Sequence, residues 1–310
     1  MALLYPVIAF GQKAFGNGRF FPPLTCVILF IRALYKKEGR CEEDMNIKEL
    51  NHVGIRTADM DKAVKFYRDI LGGTIIRDAH SPDGKARFVY VQIVDGVIEI
   101  IPGTPGADNL GLVHIAFLTS DGTDLDLFAG QLKEAGYRFT VEPRPTSSGD
   151  GRLCFFEDSS GAIFELIRRN EKIRIPDLKN PNILEFDHIS VSLHDGNYKR
   201  CADFYLNTIG FRVRRVLEKP GQVLTYYSWG KDTLETIYRE GMAMDPKPLG
   251  HIAFRVESCA AMKTCLESFD IECPEPREPA LGGFNIMNVK GPDGVILEFL
   301  DRPSLEEYRR

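Results

Sequence analysis

The chain has 310 residues, 44% hydrophobic and 27% charged. That is enough for about two domains at ~100–200 residues each, and it excludes disordered and collagen-like classes. The net charge of −5 argues against nucleic acid as the main partner, because phosphate binding needs a basic footprint. Seven cysteines, an odd number with no C-x-x-C pair, predict reduced thiols and a cytoplasmic protein rather than a disulfide framework.

No apolar run reaches the ~18–20 residues of a membrane span. The longest, Leu24 to Leu34, is interrupted by Arg32, and the first ten residues lack the positive region of a secretory signal. Residues 1–44 are rich in Phe, Leu, Gly and Pro without a sustained period, so residues 1–46 read as an atypical leader. Patterned sequence begins just after Met45, and we favour Met45 as the native start. Glu42-Glu43-Asp44 is encodable by purine-rich codons resembling a bacterial ribosome-binding site. The rival reading is a helix over Leu24–Lys37, mixing apolar and basic residues, that docks on a membrane surface or a partner.

The first patterned element is a strand holding Asn51-His52-Val53-Gly54-Ile55. A helix follows, with Met60, Ala63, Val64, Tyr67, Ile70 and Leu71 on one face, Asp59 as N-cap and Gly72-Gly73 as its end. Short strands are predicted over Thr74–Arg77, Arg87–Val94 and Val97–Ile101. Val113-His114-Ile115-Ala116-Phe117 then opens a second strand–helix pattern. Its helix carries Leu125, Phe128, Leu132 and Ala135 and closes at Gly136; Gly161-Ala162-Ile163-Phe164-Glu165-Leu166 ends the unit. The module therefore reads β-α-β-β-β, used twice.

The same signals return further on. Asp187-His188-Ile189-Ser190-Val191 follows the first strand by 136 residues, and Asp203-Phe204-Tyr205 follows Lys65-Phe66-Tyr67 by 138. Gly250-His251-Ile252-Ala253-Phe254 lies 137 beyond its match, and Gly294-Val295-Ile296-Leu297-Glu298-Phe299 lies 133 beyond. The second unit's helical stripes are Tyr198, Cys201, Ala202, Tyr205 and Ile209, then Ala261, Met262, Cys265, Leu266 and Phe269, and the aromatic and Met positions are expected in the core. Two units are expected at 47–169 and 184–303, joined by a polar linker, 170–183, containing Pro176 and Pro181, and followed by a tail, 304–310.

Glu99, Glu165 and Glu298 each stand inside an apolar strand. Burying an unpaired carboxylate costs several kcal/mol even after relaxation, so each must face solvent, a basic group or a cation. Spacing favours the cation. His52, Glu99, His114 and Glu165 are separated by 47, 15 and 51 residues; His188, Glu235, His251 and Glu298 by 47, 16 and 47. Two imidazoles and two carboxylates form an N₂O₂ set for a divalent metal such as Zn, Ni, Mn, Co or Fe(II). His80 and His194 have no matching partner and read as surface residues in loops.

These motifs resemble the vicinal oxygen chelate superfamily, which includes glyoxalases, epimerases, resistance and bleomycin-binding proteins and extradiol dioxygenases. The match covers about 47–303 and rests on N-H-V-G-I, D-x-x-x-A-V-x-F-Y-x-x-x-L-G, V-H-I-A-F and G-x-I-F-E-L. The resemblance implies an α+β fold of two tandem domains, each a pair of βαβββ modules curving a mixed sheet around a metal cleft. It implies that His52, Glu99, His114 and Glu165, and likewise His188, Glu235, His251 and Glu298, bind the metal. The substrate would be a small molecule chelating through vicinal oxygens.

For glyoxalase-like lyases, isomerases and epimerases, the resemblance implies proton abstraction beside a chelated carbonyl through an enolate. Glu165 and Glu298 are the first candidates for the base, Glu99 and Glu235 the next. The alternatives are an Fe(II) ring-cleavage dioxygenase and a non-catalytic binding or resistance protein. Dioxygenases of this kind use two His and one carboxylate, so a fourth-strand Glu in both units argues against that chemistry. So do Phe155 and Asn288, which occupy the position where those enzymes carry a Tyr. Arg87, Arg144 and Arg152 are candidates for an anionic substrate group, and Ser147-Ser148-Gly149 for a lid. Two fused units are compatible with a monomer or a homodimer.

Overall fold

A computed structural model describes residues 46–147, 149–279 and 283–303; the leader up to residue 45, Ser148 and the tail from 304 lie outside the described residues. In the first unit the strands are β1 (Ile47–Thr57), β2 (Thr74–His80), β3 (Arg87–Ile93), β4 (Gly96–Pro102), β5 (Gly111–Thr119), β6 (Arg138–Pro145), β7 (Gly151–Glu157) and β8 (Ile163–Arg169). They form one sheet in the order β2-β3-β4-β1-β5-β8-β7-β6. The helices are α1 (Met60–Lys65) and α2 (Leu125–Glu134). Each module thus folds as β-α-β-β-β, and the two modules meet where β1 runs antiparallel to β5.

The second unit repeats the plan with β9 (Ile183–Leu193), α3 (Tyr198–Asp203), β10 (Arg212–Lys219), β11 (Gln222–Trp229), β12 (Asp232–Arg239), β13 (Leu249–Val256), α4 (Cys259–Glu267), β14 (Ile286–Lys290) and β15 (Ile296–Leu300). Its sheet order is β10-β11-β12-β9-β13-β15-β14. Among the described residues this last module forms two strands after its helix rather than three. Between α4 and β14 the sequence carries Pro274, Pro276 and Pro279, each lacking the N–H a ladder needs. One isolated bridge, Arg277 to Ile286, remains.

Asp59 caps α1 by accepting the Lys62 amide, as its sequence context predicts. The helix then widens into a π-turn over Phe66–Ile70, and α3 does the same over Phe204–Ile209. The widened turns leave Phe66, Tyr67, Phe204 and Tyr205 all buried. Phe269 departs from expectation: α4 ends at Glu267, and Phe269 is 46% exposed. His80 ends β2 instead of lying in a loop, and its side chain is exposed.

The two units share a core. Phe204, in the π-turn that continues α3, packs against Phe156 and Phe164 of the first sheet, with ring centroids 5.7 and 5.6 Å away. Pseudo-symmetric pins also join the units. The β11–β12 turn presents Asp232 to the Leu50 amide at 3.0 Å, and the β3–β4 turn presents Asp95 to the Phe186 amide at 3.0 Å. Leu50 and Phe186 each stand two residues before a strand histidine, so each unit holds the entry to the other's central strand.

Candidate metal centres

The four middle strands of the first sheet, β4-β1-β5-β8, each carry one member of the first quartet. Gly54 is the register partner of both Glu99 and His114, and Ala116 is the partner of both His52 and Glu165. Alternation along strands then puts all four side chains on one face. Gly54 is what permits the approach: a Cβ there would lie 1.9 Å from His114 Cε1.

The donor atoms converge. His52 Nε2 lies 3.0 Å from Glu165 Oε2, 3.3 Å from Glu99 Oε2 and 3.1 Å from His114 Nε2. His114 Nε2 lies 3.3 Å from each carboxylate. All four residues are buried, and their donor atoms fall within 4.8 Å of one another. Two buried carboxylates demand positive charge nearby. With the side chains alone, burial opposes charge on His114, yet hydrogen bonds to Glu165 and Glu99 carry it up to about 9. Burial pushes Glu99 and Glu165 up, but His52 and His114 outweigh it and hold both carboxyls below the usual range. The donor set fits a divalent cation: it offers nitrogen and oxygen ligands, two negative charges and a common focus.

A surrounding shell fixes these groups. Asn51 Oδ1 lies 2.9 Å from His52 Nδ1 and also accepts from Arg169 Nε at 3.3 Å, which orients the amide. His52 therefore donates through Nδ1 and turns a lone pair on Nε2 toward the quartet. Arg169 also donates to Tyr90 Oη at 3.1 Å and to Asp150 at 2.6 Å. Tyr90 in turn donates to Glu99 Oε1 at 2.5 Å. Asn51, Tyr90 and Arg169 escaped the sequence reading. Their repeat partners Asp187, Tyr226 and Arg302 are the signal that could have exposed them.

The second quartet gathers on β9, β12, β13 and β15. His188 Nε2 and His251 Nε2 are 3.0 Å apart. Glu235 Oε2 lies 3.5 Å from each imidazole, and Glu298 Oε1 lies 3.8 Å from each. His188, His251 and Glu298 offer donors within 4.8 Å of one another; Glu235 is outside that group. Asp187 accepts from His188 Nδ1 at 2.6 Å and is gripped by Arg302 at 2.6 and 2.8 Å. Burial opposes charge on His188, but Glu235 and Asp187 lift it to about 10.

A cavity of about 1060 Å³ opens onto Glu99, His114 and Glu165. The loop before β13 closes one side of it with Lys247, Pro248 and Leu249 from the second unit. The second quartet does not line this space. Of the three arginines expected to meet substrate, only Arg144 lines it. Arg87 is instead engaged by Asp78 and Asp61, and Arg152 by Asp126, because nearer carboxylates claim them. Arg56 and Lys247 line the cavity without an ion-pair partner among the described residues. Ser147, from the segment expected to act as a lid, lines it too, beside Thr146. Phe155 pairs with Glu165 in register and sets its ring edge-on to His114 at 5.2 Å, an apolar neighbour with no proton to give.

Comparison with known proteins adds the following. The family model "Glyoxalase/Bleomycin resistance protein/Dioxygenase superfamily" matches residues 49–166 and 185–299. The chain is 27% identical over 176 residues to a lactoylglutathione lyase of Arabidopsis thaliana, spanning 54% of this chain and 57% of that protein. It is 32% identical over 130 residues to a probable lactoylglutathione lyase of Synechocystis, spanning 40% of this chain and 97% of the relative. Among solved structures, the Mn(II)-bound glyoxalase from Novosphingobium aromaticivorans superposes with TM-score 0.61 at 19% identity, over 83% of this chain and 82% of that one. BphC, a halotolerant catechol dioxygenase, gives 0.60 at 15% identity, over 82% and 87%. At these identities the two structures speak for the fold alone.

Proposed function

From the premise that the chain belongs to the Glyoxalase/Bleomycin resistance protein/Dioxygenase superfamily, we propose a divalent-metal-dependent, glyoxalase-type lyase or isomerase working at the first quartet. One observation carries this reading. Glu99 joins His52, His114 and Glu165 as a fourth donor, 3.3 Å from both imidazoles, at the floor of the large cavity. A bound cation would supply Lewis acidity, stabilising negative charge on a substrate carbonyl oxygen. The chain's own groups would do the rest. Glu165 takes the proton from the carbon beside that carbonyl and returns it to the carbonyl carbon, while the substrate's hydroxyl proton passes to the former carbonyl oxygen, so that hydroxyl and carbonyl exchange places. Glu99 suits this role less, because Tyr90 ties its second oxygen; no such tether holds Glu165 among the described residues. Phe155 and the apolar cavity wall keep water from the proton in transit.

The substrate class is a small molecule with vicinal oxygens, such as a hydroxy-ketone or hemithioacetal. Arg56, Arg144 and Lys247 are placed to meet an anionic end of it. Each quartet is assembled within one sheet of one chain, so a monomer suffices and a homodimer remains compatible. Among the described residues no helix is long and apolar enough to cross a membrane. The five cysteines there carry free thiols, which supports a reducing, cytoplasmic setting.

A second reading has its own support: His188, His251 and Glu298 form the two-histidine, one-carboxylate group associated with Fe(II) oxygen chemistry. One paired assay separates the two. The purified protein, loaded in turn with Zn²⁺, Ni²⁺, Mn²⁺, Co²⁺ or Fe²⁺, is given the hemithioacetal of methylglyoxal and glutathione, and separately a catechol panel in an oxygen electrode. Isomerisation without oxygen uptake is expected; rapid uptake with a catechol would reverse the assignment.

A further inference from the structure

The buried negative charge behind each quartet sits in a different place. In the second unit it lies directly behind the first histidine: Asp187 accepts from His188 Nδ1, and both its oxygens accept from Arg302. In the first unit that position is Asn51, which is neutral. The arginine is kept, since Arg169 and Arg302 each follow the last-strand glutamate by four residues. Arg169 therefore needs its anion elsewhere. Its side chain is only 2% exposed, and an unanswered cation at such depth is strongly destabilising. The anion is Asp150, 2.6 Å from one terminal nitrogen of Arg169. The offset of 133 residues that carries Glu165 to Glu298 and Arg169 to Arg302 carries Asp150 to Gly283, which has no side chain. The carboxylate has changed segments: Asn51 with Asp150 in one unit corresponds to Asp187 with Gly283 in the other.

Arg169 gives one nitrogen to each of three segments. Nε donates to Asn51 on β1, one terminal nitrogen to Tyr90 on β3, and the other to Asp150 in the loop between β6 and β7. The first two contacts lead straight to quartet members, Asn51 to His52 and Tyr90 to Glu99. The third anchors the guanidinium. Asp150 is itself fixed by Thr146 Oγ1 at 2.8 Å, by Arg77, and by its carbonyl, which accepts from the Asn170 amide at 2.8 Å. Thr146, Arg77 and Arg169 all line the cavity. Along β8, alternation sets Arg169 on the same face as Glu165. Without the charge of Asp150, the guanidinium would turn to the carboxylates of the quartet and compete with a cation for them.

We propose that Asp150 is a positioning residue of the first centre: from the cavity loop it supplies the negative charge that the second unit keeps behind its own histidine, and through Arg169 it holds Asn51 against His52 and Tyr90 against Glu99. The inference rests on reading the first quartet as a metal site. It ties the seating of a cavity wall to the hold on the ion, although Asp150 touches none of the four donors.

The test is Co²⁺ retention by the full chain against a chelator, in a Glu298→Gln background so that the ion reports the first quartet. Asp150→Asn should weaken retention ~10–100-fold, the range for changes in partners behind metal ligands. Asn51→Asp combined with Asp150→Asn places the carboxylate where the second unit has it, and should recover most of that loss. Damage to the loop alone would not be repaired from residue 51. An Asp150→Asn protein that retains the ion as its parent does, or a double variant as weak as the single one, would overturn the proposal. If the single variant does not fold, a folded double variant with the parent's retention supports the proposal, and one that is unfolded or weak overturns it. A second measurement needs no metal. In ¹H–¹⁵N spectra, with the Arg169 Nε–H assigned through Arg169→Lys, exchange of that proton with solvent should quicken in Asp150→Asn and slow again in the double variant. An exchange rate that Asp150→Asn leaves unmoved would overturn the role of Asp150 whatever the ion does. A parent that binds no Co²⁺ would remove the metal reading of the quartet, while the spectra would still decide on Asp150.

Discussion

In the first unit the imidazole of His52 leans on a neutral amide, Asn51; in the second, His188 leans on a carboxylate, Asp187, whose charge Arg302 answers. Tyr90 and Tyr226 stand alike as register partners of the fourth-strand glutamates, Glu99 and Glu235. Then the units diverge. The first packs its donors at 3.0 to 3.3 Å and faces a large cavity carrying Arg56, Arg144 and Lys247. The second holds its carboxylates at 3.5 and 3.8 Å, keeps a serine on His251, and has Ser192 where the first has Arg56. Matching ligand residues therefore do not make matching centres. The groups behind the ligands, and the space in front of them, decide what each does.

Substitutions should break this comparison unevenly. The largest effect is expected from Glu165→Gln, which removes the proposed proton carrier: hemithioacetal turnover should fall ~10²–10⁴-fold. Glu298→Gln in the second unit should leave most turnover intact. Equal losses from both, in side-by-side steady-state assays, would mean that the two centres share the work.

Next comes Gly54→Ala. Its new Cβ must displace the His114 ring, an overpacking that costs roughly 1–3 kcal/mol. Thermal unfolding should shift down by several degrees, and metal should be lost from the first quartet. Gly250→Ala meets only Ser190 Oγ at 2.6 Å, the end of a rotatable side chain, and should cost less. Tyr90→Phe is milder still: freeing Glu99 should weaken metal retention ~10-fold or more with little change in melting temperature, as competition with a chelator would show.

The smallest expected effect lies in the pins between units. Burial raises the Asp232 carboxyl to about 6, against the pull of Arg174. A carboxyl raised in the folded state contributes fully below its unfolded value of about 3.9, and that contribution is lost as pH rises through about 6. Asp232→Asn should therefore gain stability relative to the wild type as pH rises across this window. The matching Asp95 has Lys231 at 3.3 Å, so Asp95→Asn should lose an ion pair instead. Melting curves of both variants from pH 4 to 8 would show whether the difference has the stated sign.

Much of this was legible in the sequence because the histidines and glutamates of the two quartets keep a repeated spacing. Strand period and repeat offset alone placed four glutamates and four histidines on matching strands. The Asp59 cap and the glycines that close the first unit's two helices were legible for a local reason. What escaped depends on contacts between distant segments. Nearer carboxylates claim Arg87 and Arg152, while Lys247 reaches the cavity only because the second unit's loop folds over the first sheet. The proline-bearing segment before β14 reads as a missing strand only once its neighbours are known. Ser190 and Gly250 stand in plain view beside Gly54 and Val113. The contact of Ser190 with His251 shows only when the register slip between β9 and β13 brings them face to face.

The most direct test of the central claim is an anomalous difference map from crystals of the full chain grown with Co²⁺. The account predicts its strongest peak at the focus of His52 Nε2, His114 Nε2, Glu99 and Glu165, with Tyr90 still on the outer oxygen of Glu99. A map with its density elsewhere, or with Glu99 turned away from the ion, would contradict it.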